Sequence, residues 1–420
     1  MPPGLKESLT EALKHVQGFI YPNDLSLWWS VVIIVYPYLT GLVAGAFILA
    51  SLVRVLDVRA LQPTYRLSLL TAFAFLLVAP LPLLVHLGHP ERSYEVMITP
   101  HASSPMAIFG FIYAWYLMAV LLLELWFDYR RDLVEWSMSQ TGPRRLLYRL
   151  LTLGVFDVSE KAVRLDEKIG KTITVIGIPS AFLLHGYVGF IFGSVKANPW
   201  WGTVLMPIIF IFSAMVSGVA LMAVVYLLVC WFRRERVDML CLETIIRVLF
   251  FALLIDAAVE SLDWIHRLYE AEESIDVLVL LAAGKLFYSF LLVQVLLGTL
   301  VPLVLISALL IFRDRLTAAF RKGVCLLSSL LVVIGVFAMR WNVVIGGQLF
   351  SKSLRGFTTY KLELVGPEGV VTSVVLMLLP FAILGVLVYL FLPARGSGPG
   401  AETAAGQEAA SEQDGSVMHE

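Results

Sequence analysis

Charge is scarce in this chain. Asp, Glu, Lys and Arg make up 15% of its 420 residues, where an ordinary soluble domain has about 25%. So little charge cannot cover the surface of a water-soluble protein of this length. Cysteine is scarcer still, with only Cys230, Cys241 and Cys325. None forms a CxxC pair, and each lies in or beside an apolar segment. An iron–sulfur cluster takes four thiolates, so this chain alone holds none, and no disulfide framework or metal site is expected. The three read as small core residues. No secretory signal is expected from the first residues either: Lys6, Glu7, Glu11, Lys14 and His15 are too polar for one. Leu5, Leu9, Leu13 and Val16 instead fit a short amphipathic helix at an interface. The net charge of −1 singles out no partner, and no nucleic acid is expected.

Apolar residues are plentiful, at 59%. About 20 of them in a row cross the hydrocarbon of a bilayer. Nine such runs are predicted: 28–53, 67–86, 104–127, 170–194, 203–232, 243–266, 285–312, 322–346 and 369–392. The segment 275–284 is too short to span and reads as re-entrant or interfacial. The fold class is therefore all-α, a polytopic transmembrane bundle of nine to ten spans. Residues 1–27 precede it as an amphipathic, periplasmic segment. The transmembrane domain is 28–392, and 393–420, rich in Gly, Ala, Ser and Glu, reads as a disordered cytoplasmic tail.

Basic residues alternate in density from one connection to the next. Arg54, Arg59 and Arg66 follow the first span; Arg130, Arg131, Arg144, Arg145 and Arg149 lie after the third; Arg233, Arg234 and Arg236 after the fifth; Arg313, Arg315 and Arg321 after the seventh. The intervening connections are poorer. The positive-inside rule then predicts a periplasmic N-terminus and a cytoplasmic C-terminus. Leu146, Leu150, Leu153 and Phe156, set among Arg and Lys, predict a helix resting on an anionic leaflet. Gly41 and Gly45 form a GxxxG, a close-packing signal. Trp28, Trp29, Trp200 and Trp201 read as an interfacial aromatic belt. Glu124 and Arg247 read as interfacial charges at inner ends of spans.

Charges inside the spans carry the functional signal, because a charge in hydrocarbon is costly. Asp256, Glu260, Asp263 and Arg267 recur along the sixth run. At 100° per residue they fall within roughly 60° of one another, a file running from mid-membrane to the outer surface. Three carboxylates so close are not all ionised cheaply in a low dielectric, which suits proton transfer. The bland alternative is a structural network with Arg267, Lys285 and Arg340. Arg340 wants a carboxylate or a ligand carbonyl, and Asn342 and Gln348 lie near it in sequence. His185 and Tyr187 in the fourth run, with His86, His89 and Arg92 at the end of the second, fall in the same outer half. Imidazole and phenol groups hydrogen-bond quinone carbonyls and pass protons near neutral pH.

Several of these stretches resemble the NrfD/PsrC family. They are Gly-Ile-Pro-Ser-Ala-Phe-Leu-Leu-His-Gly-Tyr-Val-Gly at 177–189, Asn-Pro-Trp-Trp at 198–201, Leu-Gly-His-Pro-Glu-Arg at 87–92, Ser-Pro-Met at 104–106 and the run 36–47. The family more often has Arg where His89 stands. Arg-Trp-Asn-Val-Val-Ile-Gly-Gly-Gln at 340–348 is similar to the longer DsrP/HybB/QrcD-like subgroup. The resemblance implies a helical-bundle subunit of a respiratory oxidoreductase in the bacterial cytoplasmic (inner) membrane, with no redox centre of its own. It implies electron exchange between membrane quinone, menaquinone above all, and an iron–sulfur ferredoxin-like partner. Molybdopterin-type or multihaem cytochrome subunits are further expected partners. The family's quinone site lies near the periplasmic face, and its span 4 tyrosine corresponds to Tyr187. On this reading Tyr187, His185, His86, His89 and Arg92 bind quinone, while Asp256, Glu260, Asp263 and Arg340 serve proton transfer. Two other readings stay open: a proton, ion or solute transporter, for which paired broken helices in inverted halves are only weakly present, and a b-type cytochrome, with His86 and His185 as an axial pair.

Overall fold

The computed structural model describes residues 16–99, 101, 103–271 and 274–392. The amphipathic helix expected from Leu5 to Val16 and the tail 393–420 lie largely outside the described residues. What is described of the N-terminal segment begins with a strand, β1 (Gln17–Phe19).

Helices form at all nine predicted runs. They are α1 (Val31–Arg54), α2 (Arg59–His86), α3 (Pro105–Ser139), α5 (Glu160–Gly193) and α6 (Met206–Arg233), α7 (Met239–Glu270), then α9 (Phe287–Arg315), α10 (Ala318–Gln348) and α11 (Val370–Phe391). Among the described residues, eight of these are long and apolar enough to cross a membrane. The ninth, α7, has 32 residues, about 48 Å at 1.5 Å per residue. Its charged residues set it apart from the other eight. Shorter helices lie between the spans: α4 (Gly142–Leu151) between α3 and α5, and α8 (Ile275–Ala283), which at nine residues is too short to span, besides a single turn at Glu95–Ile98. Strand β2 (Arg355–Phe357) precedes α11 and pairs antiparallel with β1, Gly18 opposite Gly356.

The helices sort into two sets of four, α1, α2, α3 and α5, then α6, α7, α9 and α10, joined where α1 lies along α6. Helix α11 packs on α2 and α1. The buried side chains form one continuous apolar cluster. Helix α1 is at its centre, with 94% of its apolar window buried, whereas α11 has 17%. Lipid tails are as apolar as leucine, so this enclosure is stabilised by close packing rather than by escape from water. The glycines show how. A Cβ built on Gly45 would lie 2.4 Å from the Ala214 carbonyl oxygen and 2.6 Å from the Gly218 Cα. Gly45→Leu is therefore expected to force α1 and α6 apart, and the full-length protein extracted in mild detergent should lose its monodisperse elution.

Two sequence expectations need correction. Trp200 and Trp201 are not a surface belt: they are 8% and 7% exposed. Trp201 stacks on Trp29 at 5.2 Å and donates from Nε1 to the Val343 carbonyl at 2.6 Å. Of the four tryptophans only Trp28 stands out, at 76% exposure. Nor is Glu124 interfacial. It is fully buried and accepts a 2.6 Å bond from the Thr174 hydroxyl. An adjacent Arg54–Asp128–Arg66 group neutralises much of the charge at that end of the bundle. On α4, Leu146 and Leu150 remain exposed, as does Leu153 just beyond it, while Tyr148 is buried and ties the helix to the Leu390 carbonyl.

Candidate functional site

The charged file on α7 forms as its spacing predicts, and it divides into two parts. Asp263 and Arg267 make a closed pair. Arg267 Nε donates to Asp263 Oδ2 at 2.9 Å, Asp263 Oδ1 accepts from the Thr203 hydroxyl at 2.5 Å, and Arg267 also reaches the Pro199 carbonyl. Their hydrogen bonds are satisfied, which marks them as structural. Glu260 and Asp256, one and two turns deeper, lack such a cation. Glu260 Oε2 accepts 3.1 Å from Gln294 Nε2, and Asp256 Oδ1 is buried without a partner.

Gln294 comes from α9, and its segment is unusual. Residues Phe287–Leu300 are π-helical over 14 residues. The π form is rare beyond single turns and concentrates at functional sites. Within it the Thr299 hydroxyl bonds the Gln294 carbonyl at 3.1 Å. Pro302, which has no N–H to continue the ladder, follows the stretch. Gln294 Oε1 in turn accepts from Asn342 Nδ2 on α10 at 2.8 Å. Three helices thus meet at one amide.

These groups line a small open cleft of about 60 Å³. Glu260, Asp263, Arg267, Gln294 and Asn342 supply its polar side. Trp200, Trp264 and Phe290 supply an aromatic side, with ring centroids 5.4 to 6.0 Å apart. The aromatic side offers flat faces on which a ring stacks.

Behind the cleft, Arg340 is wholly buried. Among the described residues no carboxylate lies within ion-pair distance of it, although Asp256 and Glu260 are within electrostatic range. Its NH2 group donates to His185 Nε2 at 2.9 Å and to Ser213 Oγ at 2.7 Å, and its guanidinium lies 4.0 Å from the Phe210 ring centre. Guanidinium has no acceptor, so His185 Nε2 must accept. The imidazole is then the neutral Nδ1–H tautomer, donating to Thr40 Oγ1 at 3.3 Å. The Thr40 hydroxyl donates onward to the Tyr36 and Pro37 carbonyls at 3.2 and 3.3 Å. A proton has nowhere to go beyond a backbone carbonyl, so this branch holds Arg340 in place rather than conducting. Gly41 makes room for it: a Cβ there would lie 3.2 Å from the His185 ring.

The other expected residues fall elsewhere. Tyr187, two residues from His185, points away from it and stacks on Phe109 at 6.3 Å. His86 bonds Glu368 Oε1 at 3.1 Å. His86 and His185 share no partner among the described residues, and both nitrogens of His185 are engaged. His89 is exposed beside Glu91, and Arg92 is exposed beside Glu95. Its guanidinium holds the Glu95 carboxyl below the usual carboxylate range. Lys285 bonds the Thr359 hydroxyl, not the α7 file. Ser213, Thr40 and Gln294 were not anticipated. Gln294 had a readable signal, a lone amide in an otherwise apolar run.

Residues 22–352 match the family described as polysulphide reductase, NrfD. The chain belongs to the NrfD family. This NrfD protein is a multi-pass membrane protein, and individual relatives include a selenate reductase subunit of Mesobacillus selenatarsenatis, 36% identical over 206 residues, 47% of each chain. A putative dimethyl sulfoxide reductase membrane subunit of Halobacterium salinarum is 30% identical over 207 residues, 48% of this chain and 43% of the relative. The chain thus spans about half the length of these relatives. The Hdr-like menaquinol oxidoreductase integral membrane subunit of Archaeoglobus fulgidus aligns more widely, at 25% identity over 369 residues, 86% of this NrfD chain and 80% of the relative.

Proposed function

We propose that this chain is the quinone-binding membrane subunit of a respiratory oxidoreductase. The observation that carries this reading is the line of polar groups, half-buried Glu260 and buried Asp256 and Arg340, opening on an aromatic-walled cleft. The head group of menaquinone would lie against Trp200, Trp264 and Phe290, within reach of Glu260 and Asn342. Glu260 and Asp256 would take or supply its protons, and Arg340, held by His185 and Ser213, would balance their charge. Electrons would pass to or from an iron–sulfur partner docked at the periplasmic face, with molybdopterin-type or multihaem subunits completing the complex. The relative described as a menaquinol oxidoreductase subunit supports the quinone class. The alternation of basic connections supports the inner membrane with the N-terminus outside.

Binding of menaquinone to the full chain, read by quenching of tryptophan fluorescence, tests this. With the reduced form, menaquinol, as the ligand, Glu260→Gln should weaken binding about tenfold, the worth of one hydrogen bond from a hydroxyl to a charged acceptor. Tyr187→Phe should leave binding within about twofold, since exposed or uninvolved groups change little. Unchanged affinity in Glu260→Gln with loss in Tyr187→Phe would move the head group to the Phe109 side of the bundle.

A further inference from the structure

Resting on that reading, we infer that the Gln294–Asn342 amide pair sets which redox form of the head group the cleft accepts, according to whether Glu260 carries a proton. A carboxylate only accepts, so ionised Glu260 must receive Gln294 Nε2–H, at 3.1 Å. Gln294 Oε1 is then left to accept from Asn342 Nδ2, at 2.8 Å. The far end of the chain is Asn342 Oδ1. It is buried, has no partner, and belongs to a residue that lines the cleft. An orphan acceptor in a buried site is costly unless a donor arrives. A hydroquinone hydroxyl is such a donor; a quinone carbonyl is not.

A proton on Glu260 Oε2, the oxygen that faces Gln294, reverses every link. Its O–H donates, Gln294 turns its carbonyl toward it, and Gln294 Nε2–H then donates to Asn342 Oδ1. Asn342 Nδ2–H becomes the free end and presents a donor. That end fits a quinone carbonyl. Both amides have the symmetry for this, since oxygen and nitrogen occupy nearly the same volume. The geometry therefore links proton uptake at Glu260 to a change from hydroxyl-seeking to carbonyl-seeking at the other end of the relay.

Few groups compete for control. On α7, Asp263 is neutralised by Arg267 and bonded by Thr203, and Asp256 lies one turn behind Glu260. On α10, Arg340 acts from behind the cleft, already engaged by His185 and Ser213. The lining contributed by α6, α8 and α9 carries no other titratable side chain among the described residues.

The sign follows. Raising pH ionises Glu260, so hydroquinone should bind more tightly and quinone more weakly as pH rises. The test measures both in the full-length protein, by fluorescence quenching with menaquinone and, anaerobically, with its reduced form, across the pH range over which the protein stays folded. Opposite slopes are expected, with the ratio of the two affinities moving about tenfold, the worth of one satisfied buried bond. Gln294→Met and Asn342→Met should each flatten that ratio to within about twofold while retaining some binding of both forms. Parallel slopes in the wild type overturn the relay, whatever the variants do. A ratio that still moves with pH in both methionine variants also overturns it. Failure of either form to bind at any pH sinks the quinone reading, and the relay with it.

Discussion

Replacing Arg340 by leucine should abolish quinone-linked turnover and destabilise the subunit by several kcal/mol. The guanidinium is fully buried and serves two acceptors at once, His185 Nε2 and Ser213 Oγ. Removing it leaves both unsatisfied, at about 1–3 kcal/mol each. It also strips Asp256 and Glu260 of the cation that stands behind the cleft. Arg340→Lys should rescue only part. One ammonium does not reproduce a planar fork that bonds two groups while lying over Phe210. Thermal unfolding of the purified protein and electron transfer in the assembled complex check the two halves separately. A lysine variant with wild-type turnover would show that charge alone matters at this position.

Asp256→Asn should separate stability from activity. In the wild type Asp256 Oδ1 is buried and unpaired, and a carboxyl so placed is held against a desolvation cost. The amide has almost the same shape and no charge to desolvate. The variant should therefore be as stable as the wild type, or about 1 kcal/mol more stable. Turnover should nevertheless fall about 100-fold, within the range that a positioned proton carrier contributes. A raised or unchanged melting temperature with lost turnover marks a group kept for chemistry at the expense of stability. Retained turnover would reduce Asp256 to a bystander of Glu260.

Much of the fold was legible because lipid imposes simple rules. Each of the nine predicted runs is a helix, and the short segment at 275–284 is the short helix α8. The file on α7 was legible too, since 3.6 residues per turn fixes which side chains share a face. The site as a whole was not. Sequence spacing says nothing about which neighbouring helix a face meets. His185 and Tyr187 are separated by two residues, so they point to different neighbours, α10 and α3. Nearness along the chain had grouped them. Trp200 and Trp201 misled for a related reason. Tryptophan favours an interface and a packed core alike, and only the partners Trp29, Trp264 and Phe290 decide between them. The π-helical stretch around Gln294 left no pattern to read, nor did the close approach within it of Gly298 to Gly335 of α10.

The enclosure of α1 bears on how the protein is made. Of the described spans it leaves the ribosome first, yet its finished surroundings include α6 and α10, synthesised much later. Until α6 is made, Gly45 has no partner backbone against it. Biogenesis thus has a waiting period, during which this span stays in lipid without its final neighbours, and the bundle closes around it once the tenth helix arrives. Nascent chains stalled before α6 should leave Gly45 open to a lipid-phase cross-linker, and chains extended past α6 should hide it, because Ala214 and Gly218 of α6 are what Gly45 packs on.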